Sequence, residues 1–319
     1  MPQIIQRAPR PLAKPSGWLS WVIAGALVRV LGGLGTSGRA RLARALGRLV
    51  YALGIRRRVA LDNLRHAFPE APEAELERIA RGAYRNMSLA ALEAVSGHQL
   101  SPEALDAAVV VEDWGSLKDV LEEHRGVLVA SAHFGSWELL AEVMTRRGYA
   151  VNAVVRPLEG SFNARIVEAR KLSGMKLIAA RGALQGMLRG LKAGEPVVML
   201  LDQAIPAAQG VFVPFFGRPA STSPALAVAA LRTGAPVFVV LAAREGEKLR
   251  MFVEGPIAPP PDTEPLEARI QGLTASVVAV LERYIRRYPE QWLWLHRRWK
   301  EVPPAPSSKT GMDGGERLE

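Results

Sequence analysis

The sequence predicts an α/β fold: a mainly parallel sheet flanked by helices, preceded by an N-terminal helical region that associates with a membrane. Three observations carry this. Beyond Val109, short apolar runs alternate with stretches of helical length, the signature of strands joined through crossover helices. Residues 36–100 instead keep a helical period throughout. From Trp18 to Leu34 only Ser20 and Arg29 interrupt an apolar run.

That first run is at the short end for spanning a bilayer, which takes about 20 apolar residues. Trp18 and Trp21 stand where an interfacial anchor would. Arg7, Arg10 and Lys14 precede it, and Arg39, Arg41, Arg44, Arg48 and Arg56 to Arg58 follow. The heavier positive load downstream places that side in the cytoplasm. No small-residue cleavage site of a secretory signal stands out. A buried core helix is the alternative reading of the run, and spanning and lying in the interface both remain open.

Leu42, Leu46, Leu49 and Leu53 recur at helical spacing, and a second helix is predicted over Glu73 to Leu92 after the break at Phe68-Pro69. Gly126 to Ala132 reads as a buried strand, followed by a helix from Ser136 to Arg147. Strands follow at Val151 to Val155, Met175 to Ala179, Pro196 to Leu201 and Pro236 to Leu241, with Leu249 to Val253 as an edge strand. Helices are predicted over Glu159 to Leu172, Ala183 to Lys192, from near Ser221 with Pro224 in the first turn, and over Leu266 to Arg287. This divides the chain into an anchor or interfacial helix (1–35), a helical region (36–108), an α/β domain (109–302) and a disordered tail (303–319), the last rich in Pro, Ser, Gly and charge.

Composition narrows the function. Of 319 residues 49% are apolar, enough for a substantial core. The absence of cysteine excludes disulfides, thiolate nucleophiles and cysteine-ligated metals. A net charge of +10 favours partners that carry phosphate. No finger pattern or aromatic RNA-binding box is present, so nucleic acid is not expected and the charge reads as lipid-facing.

The informative segment is Ala132-His133-Phe134-Gly135-Ser136-Trp137-Glu138. His133 comes just after the carboxyl end of a buried strand, where open α/β sheets place ligands. Glu138 falls in the first turn of the next helix, from which its carboxylate is expected to fold back onto the imidazole, fixing the tautomer and leaving the other nitrogen to take a proton from a hydroxyl. With no protein nucleophile nearby, the substrate's own hydroxyl is the natural one. The amides of Gly135 and Ser136 are candidate donors to a developing oxyanion. Alone, a His and an acid five residues apart is a weak signal, and a His closing a strand end is the plainer reading. His66, His98, His124 and His296 show no ligand spacing around it, so no metal is expected. Arg156 and Arg170 are candidates for gripping phosphate, Arg170 being equally readable as a solvated helix residue. Asp202 ends an apolar strand, either in the site or capping the loop; Gln203 beside it is a weaker candidate. Trp292, Trp294 and Trp299, alternating with Arg297, Arg298 and Lys300, fit either a membrane-interface belt or packing against the domain. Ser221-Thr222-Ser223 is a helix start, since no Gly-x-Ser-x-Gly elbow is present.

His133 to Glu138 resembles the H-x-x-x-x-D/E motif of the glycerolipid acyltransferase superfamily. The chain from about Arg57 to Lys300 is similar to one branch, the bacterial lipid A late acyltransferases. The pieces stand in order: Arg58-Val-Ala-Leu-Asp-Asn63-Leu-Arg-His-Ala-Phe68-Pro69-Glu70, then His133 to Glu138, Arg156-Pro157, Arg170 ahead of Gly174, Asp202-Gln203, Val213-Pro214-Phe215-Phe216-Gly217, and Pro289 to Lys300. The ordered set is specific where single pieces are not. The resemblance implies His133 as general base, Glu138 as its partner, and functional roles for Arg170 and Asp202. It implies transfer of a fatty acyl group from acyl carrier protein or acyl-CoA to a hydroxyl of a lipid A precursor or related glycolipid, without cofactor, at the inner membrane with the catalytic domain on its cytoplasmic side. The family often carries an acid or His next to the Asp-Gln pair; Asp202-Gln203-Ala204-Ile205-Pro206 departs from that, which leaves a phosphatidylinositol mannoside or a lysophospholipid open as acceptor. A thioesterase, with water as acceptor, and a non-catalytic membrane scaffold are the remaining alternatives.

Overall fold

A computed structural model describes residue 29 and residues 33–111, 114–156, 160–246 and 248–303. The apolar run before Leu34 and the tail after Pro303 lie almost wholly outside them. Among the described residues no helix is long and apolar enough to cross a membrane.

Three helices open the described chain: α1 (Thr36–Ala52), α2 (Arg57–Ala67) and α3 (Glu73–Ser96). Phe68-Pro69 separates the last two as predicted. Helices α1 and α3 cross closely at Gly47, where a Cβ would stand 2.8 Å from the Arg85 Cα. Leu42 and Leu46 pack with Ala43 against Leu89, Leu92 and Val95 of α3. Leu49 and Leu53 continue the same apolar stripe but are 54% and 65% exposed, so the stripe outruns the helix it packs on.

After α4 (Pro102–Ala108) the chain builds a seven-stranded sheet. Its strands are β1 (Val109–Val111), β2 (Val127–Ser131), β3 (Asn152–Val155), β4 (Lys176–Ala179), β5 (Pro196–Leu200), β8 (Val237–Glu245) and β9 (Lys248–Glu254). Their order is β1-β9-β8-β2-β5-β3-β4. The five from β8 to β4 run parallel; β9 returns antiparallel to β8, and β1 lies parallel to β9. Helices α5 (Ser116–Glu122), α6 (Trp137–Arg146), α7 (Ser161–Leu172), α8 (Ala183–Lys192), α9 (Ala225–Thr233) and α10 (Leu266–Arg287) connect and cover it. Every residue of β2 is buried, as its unbroken apolar run requires of a central parallel strand.

Two expectations are corrected. Leu249 to Val253 is not an edge, because β1 pairs outside it in register Val109 to Leu249. Ser221 and Thr222 do not begin a helix: they end β7 (Arg218–Thr222), which forms an antiparallel hairpin with β6 (Val211–Phe215). Helix α9 starts only at Ala225, with Pro224 as its N-cap. The hairpin turns at Phe216-Gly217, both with positive φ, a conformation natural to the glycine.

The core is continuous between the amino-terminal helices and the sheet. Leu64 and Tyr84 share one apolar cluster with Leu128, Leu241, Leu281, Trp292 and Trp294. Trp292, Trp294 and Arg298 are fully buried. Arg298 donates to the Ser221 carbonyl at 2.6 Å and to the Thr222 hydroxyl at 2.6 Å, and lies over the Phe215 ring. Burial pushes its guanidinium down to about 10, with Asp202 pulling the other way. The 292–299 tryptophans therefore pack against the domain rather than forming a membrane belt.

Gly47→Ala places a methyl group against the α3 backbone, which cannot yield as a flexible side chain would. It is expected to destabilise the fold by about 1–3 kcal/mol, measured as a lowered midpoint in denaturant unfolding with an unchanged slope.

Candidate active site

Strands β2 and β5 are neighbours with Ser131 opposite Leu200, and the Leu201 amide donates to the Ser131 carbonyl at 3.0 Å. Two residues beyond that register, just past the carboxyl ends of these adjacent parallel strands, stand His133 and Asp202. The Asp202 carboxylate accepts from the His133 amide at 2.9 Å through Oδ2 and meets the His133 Nδ1 at 2.9 Å through Oδ1. Trp292 adds a third hydrogen bond, Nε1 to Oδ2 at 2.9 Å. Asp202 is 2% exposed. Burial alone raises its pKa, but the His133 imidazole, its ring and backbone N–H groups and the Trp292 indole outweigh that and hold it below the usual carboxylate range. An ionised Asp202 accepting at Oδ1 requires the proton on Nδ1, so Nε2 carries the free lone pair. Gln203 Nε2 lies 3.3 Å from that nitrogen.

The expected contact of Glu138 with the imidazole is not formed; Asp202 holds the ring instead. Helix α6 opens at Trp137, and Glu138 in its first turn is directed to α7. There Arg170 Nε donates to Glu138 Oε2 at 3.0 Å and Arg170 Nη2 to Oε1, a two-pronged ion pair, while the Trp137 indole donates to Oε1 at 3.0 Å. Burial works against the Arg170 charge, yet the Glu138 carboxylate overrides it and raises the guanidinium pKa. Two of the Arg170 donors are thus engaged by Glu138, and Asp202 is sealed from substrate. The link from Glu138 to the imidazole runs through Trp137, whose ring meets the His133 ring edge-on at 5.2 Å between centroids. Arg156 is exposed just past β3.

The amides expected to receive an oxyanion are already used. Gly135 N–H donates to the Gln291 carbonyl at 2.9 Å and Ser136 N–H to the Ala242 carbonyl at 3.4 Å. Gly135 has φ +56°, and a Cβ there would lie 1.8 Å from the Ala242 carbonyl oxygen, so only glycine fits this turn. Residues 291–293 run beside it, with a bridge between Phe134 and Trp292 and the Leu293 amide donating to the His133 carbonyl at 3.2 Å.

Several positioning residues escaped the sequence reading. Asn86 donates to the Gly135 and Gln291 carbonyls at 3.2 and 3.3 Å, bracing the turn from α3. Asn63, inside the amino-terminal signature, donates to the Trp294 and His296 carbonyls, each at 2.7 Å. Glu93 accepts from the Ser136 hydroxyl and from Arg244 at 2.6 Å. His296 Nε2 accepts from the Ala204 amide at 3.0 Å, fixing the loop after Asp202. Burial, with further opposition from Arg298, His133 and Lys300, pushes His296 down to about 4 although Asp202 draws it upward. The sequence hinted at two of these, Asn63 through the amino-terminal signature and His296 through the aromatic stretch that ends the chain's ordered set of motifs. Among the described residues no group of His, Asp and Glu is arranged to hold a metal ion.

A small cavity of about 90 Å³ opens beside the site. Trp137, Glu138 and Arg170 stand on its wall, and the rest is mainly apolar, including Leu117, Leu121, Met144 and Met251. His133 does not itself line it and is reached across Trp137. A second, basic cleft of about 540 Å³ includes Arg44, Arg78, Arg85, Arg244 and Arg287 against the single acid Glu290. Asn86 and Gln291, which brace the His133 turn, also line it.

A family model described as bacterial lipid A biosynthesis acyltransferase matches residues 6–301. The chain is 28% identical over 309 residues to the lipid A biosynthesis palmitoleoyltransferase of Escherichia coli (strain K12), covering 94% of this chain and 96% of that one. It is 27% identical over 302 residues to the lauroyltransferase of the same organism, covering 93% and 96%. A phosphatidylinositol mannoside acyltransferase of Mycolicibacterium smegmatis is 23% identical over 202 residues, 62% of this chain and 63% of that one.

The neutral His296 fixes the direction of acid sensitivity. Its folded pKa of about 4 lies below the ordinary 6.5, so it contributes stability that is present above about pH 6.5 and lost as pH falls toward 4. Unfolding free energy is expected to fall over that window, and His296→Gln to flatten the fall; both are read from denaturant titrations at stepped pH.

Proposed function

The chain belongs to the bacterial lipid A biosynthesis acyltransferase family and is an O-acyltransferase; from that premise we propose that His133, oriented by Asp202, deprotonates a hydroxyl of a lipid A precursor or related glycolipid, which attacks an acyl thioester carried by acyl carrier protein or coenzyme A. The observation that carries the reading is the Nδ1–Asp202 contact, which leaves Nε2 as the basic nitrogen. The acceptor O–H proton passes to Nε2 as its oxygen bonds to the thioester carbon. The tetrahedral intermediate collapses with cleavage of the C–S bond, and the imidazolium returns the proton to the leaving thiolate. Asp202 stabilises the imidazolium in between.

With the Gly135 and Ser136 amides engaged, the Gln203 carboxamide is the nearby donor suited to the charge that develops on the thioester oxygen. Glu138 and Arg170 act as a fixed pair that holds Trp137 against the imidazole and forms the polar rim of the apolar cavity. The apolar lining of that cavity suits a stretch of fatty acyl chain with its carbonyl toward the rim. The relatives are named for different acyl groups, palmitoleoyl and lauroyl among them, so the family alone does not set the chain accepted here. Arg156, with Arg44 and Arg287 of the basic cleft, supplies cations for phosphate on the acceptor or on the carrier's pantetheine arm, while Arg78 and Arg85 of that cleft pair with Glu290 and Arg244 with Glu93. The amino-terminal apolar run would hold the enzyme at the inner membrane with its catalytic part on the cytoplasmic side.

Incubating the full chain with acyl carrier protein thioesters or acyl-CoA and a hydroxylated glycolipid should yield an acceptor heavier by one acyl group in mass spectra. His133→Ala is expected to abolish the product and Asp202→Asn to lower turnover by about 10³–10⁴-fold, both with unchanged circular dichroism. Retained turnover in His133→Ala contradicts the base assignment. Acyl release without acceptor acylation identifies a thioesterase instead.

A further inference from the structure

The net charge of the chain is not spread over it. Eleven of the 41 Lys and Arg residues and none of the 31 Asp and Glu precede Asp62, so everything after residue 61 carries one more acid than base. The folded part of this segment, α1 and the turn into α2, has two unlike faces. One packs on α3 through Leu42, Ala43 and Leu46. The other, with Arg41, Arg44, Ala45, Arg48 and Ala52, is exposed; Leu49, where the packing stripe outruns α3, is exposed beside it, and the exposure continues through Arg58.

This outer face is apolar as well as basic. Leu49, Leu53 and Ile55 are 54%, 65% and 50% exposed, three of the few large hydrophobic side chains in the described fold that stand out of it, and they fall within seven residues. Arg48 lies beside Leu49, and Arg56, Arg57 and Arg58 come directly after Ile55. Arg57 lies over the Tyr51 ring and Arg56 donates to the Leu295 carbonyl, so the turn is held against the body of the protein. A protruding aliphatic cluster ringed by arginines, with no carboxylate in its sequence neighbourhood before Asp62, matches the boundary between acyl chains and anionic headgroups. An acidic protein partner would match the arginines but not the leucines.

We propose that the outer face of α1 and the α1–α2 turn is a membrane-docking surface for an anionic bilayer, separate from the apolar run before Leu34. Leu49, Leu53 and Ile55 enter the acyl boundary, and Arg41, Arg48 and Arg57 meet lipid phosphates. Two points of attachment fix the rotation of the enzyme on the leaflet, where one would leave it free. The same helix presents Arg44 to the basic cleft, so docking sets the cleft mouth at headgroup level. The inference shares with the proposed function only the need for a bilayer and is independent of the chemistry at His133.

Because the chain has no cysteine, one introduced thiol reports on one position. Full-length Leu53→Cys and Ile55→Cys, carrying an environment-sensitive fluorophore, are compared with Leu266→Cys, a leucine 60% exposed on α10. On phosphatidylglycerol-containing vesicles the first two labels should shift to the blue, be quenched by lipids doxyl-labelled near the headgroup and resist aqueous iodide, while the label at 266 does none of these. Arg41→Gln and Arg48→Gln should each weaken vesicle binding by about fivefold at low salt. Chain that sediments with vesicles while labels 53 and 55 stay as iodide-accessible as 266 overturns the surface and leaves the anchor intact. Labels already shielded without vesicles overturn it in favour of cover by the chain's own amino terminus, or by a second copy if shielding grows with concentration. Failure to sediment at all overturns both this surface and the membrane placement.

Discussion

A single buried carboxylate organises the site. Asp202 receives a backbone N–H and a ring N–H from His133 and an indole N–H from Trp292. Those three hydrogen bonds tie together the ends of β2 and β5 and the segment after α10. An ionised carboxylate with 2% exposure persists only when its oxygens are met in this way. The consequence is chemical: both of its oxygens are occupied by donors, so the imidazole has one allowed tautomer and one basic nitrogen. His296, kept neutral by burial, accepts from the next loop without adding a second cation beside it.

Around that centre the protein uses carboxylates as braces. Glu93 joins Ser136 to Arg244, Glu138 joins Trp137 to Arg170, and Glu142 joins Ser173 to Arg146 at 2.7 Å. All three acids are buried, on α3 or α6, and each is met by an arginine from outside its own turn or from the next one. Removing one partner of such a pair strands a charge, which typically costs about 3–5 kcal/mol. Loss of Arg170 would strand Glu138 in this way without any contact between Arg170 and substrate. Glycine at 135 completes the arrangement by letting the turn lie directly against β8.

The parallel sheet, the closing helix Leu266–Arg287 and the position of His133 at a strand end were legible because each depends on local pattern: apolar runs, helical period, and the place just past a buried strand. The partner of His133 was not, because it is fixed by the pairing of β2 with β5, strands some 70 residues apart. Proximity in sequence favoured Glu138, but the helix that starts at Trp137 directs that side chain toward Arg170. The β6–β7 hairpin was missed since Val213-Pro214-Phe215 lacks strand alternation and Pro214 is unusual inside a strand. Asn63 and Asn86 act on carbonyls more than 200 residues, and about 50 residues, away in sequence, contacts that no local pattern reports.

Nitrogen NMR of ¹⁵N-histidine-labelled enzyme, with His133 assigned by its loss in a His133→Ala sample, tests the central claim most directly. At neutral pH the account predicts an Nδ1-protonated, Nε2-bare imidazole, and a shift to a mixture of tautomers when Asp202 becomes Asn. An Nε2-protonated ring in the unaltered enzyme, or a spectrum indifferent to the change at Asp202, would contradict it.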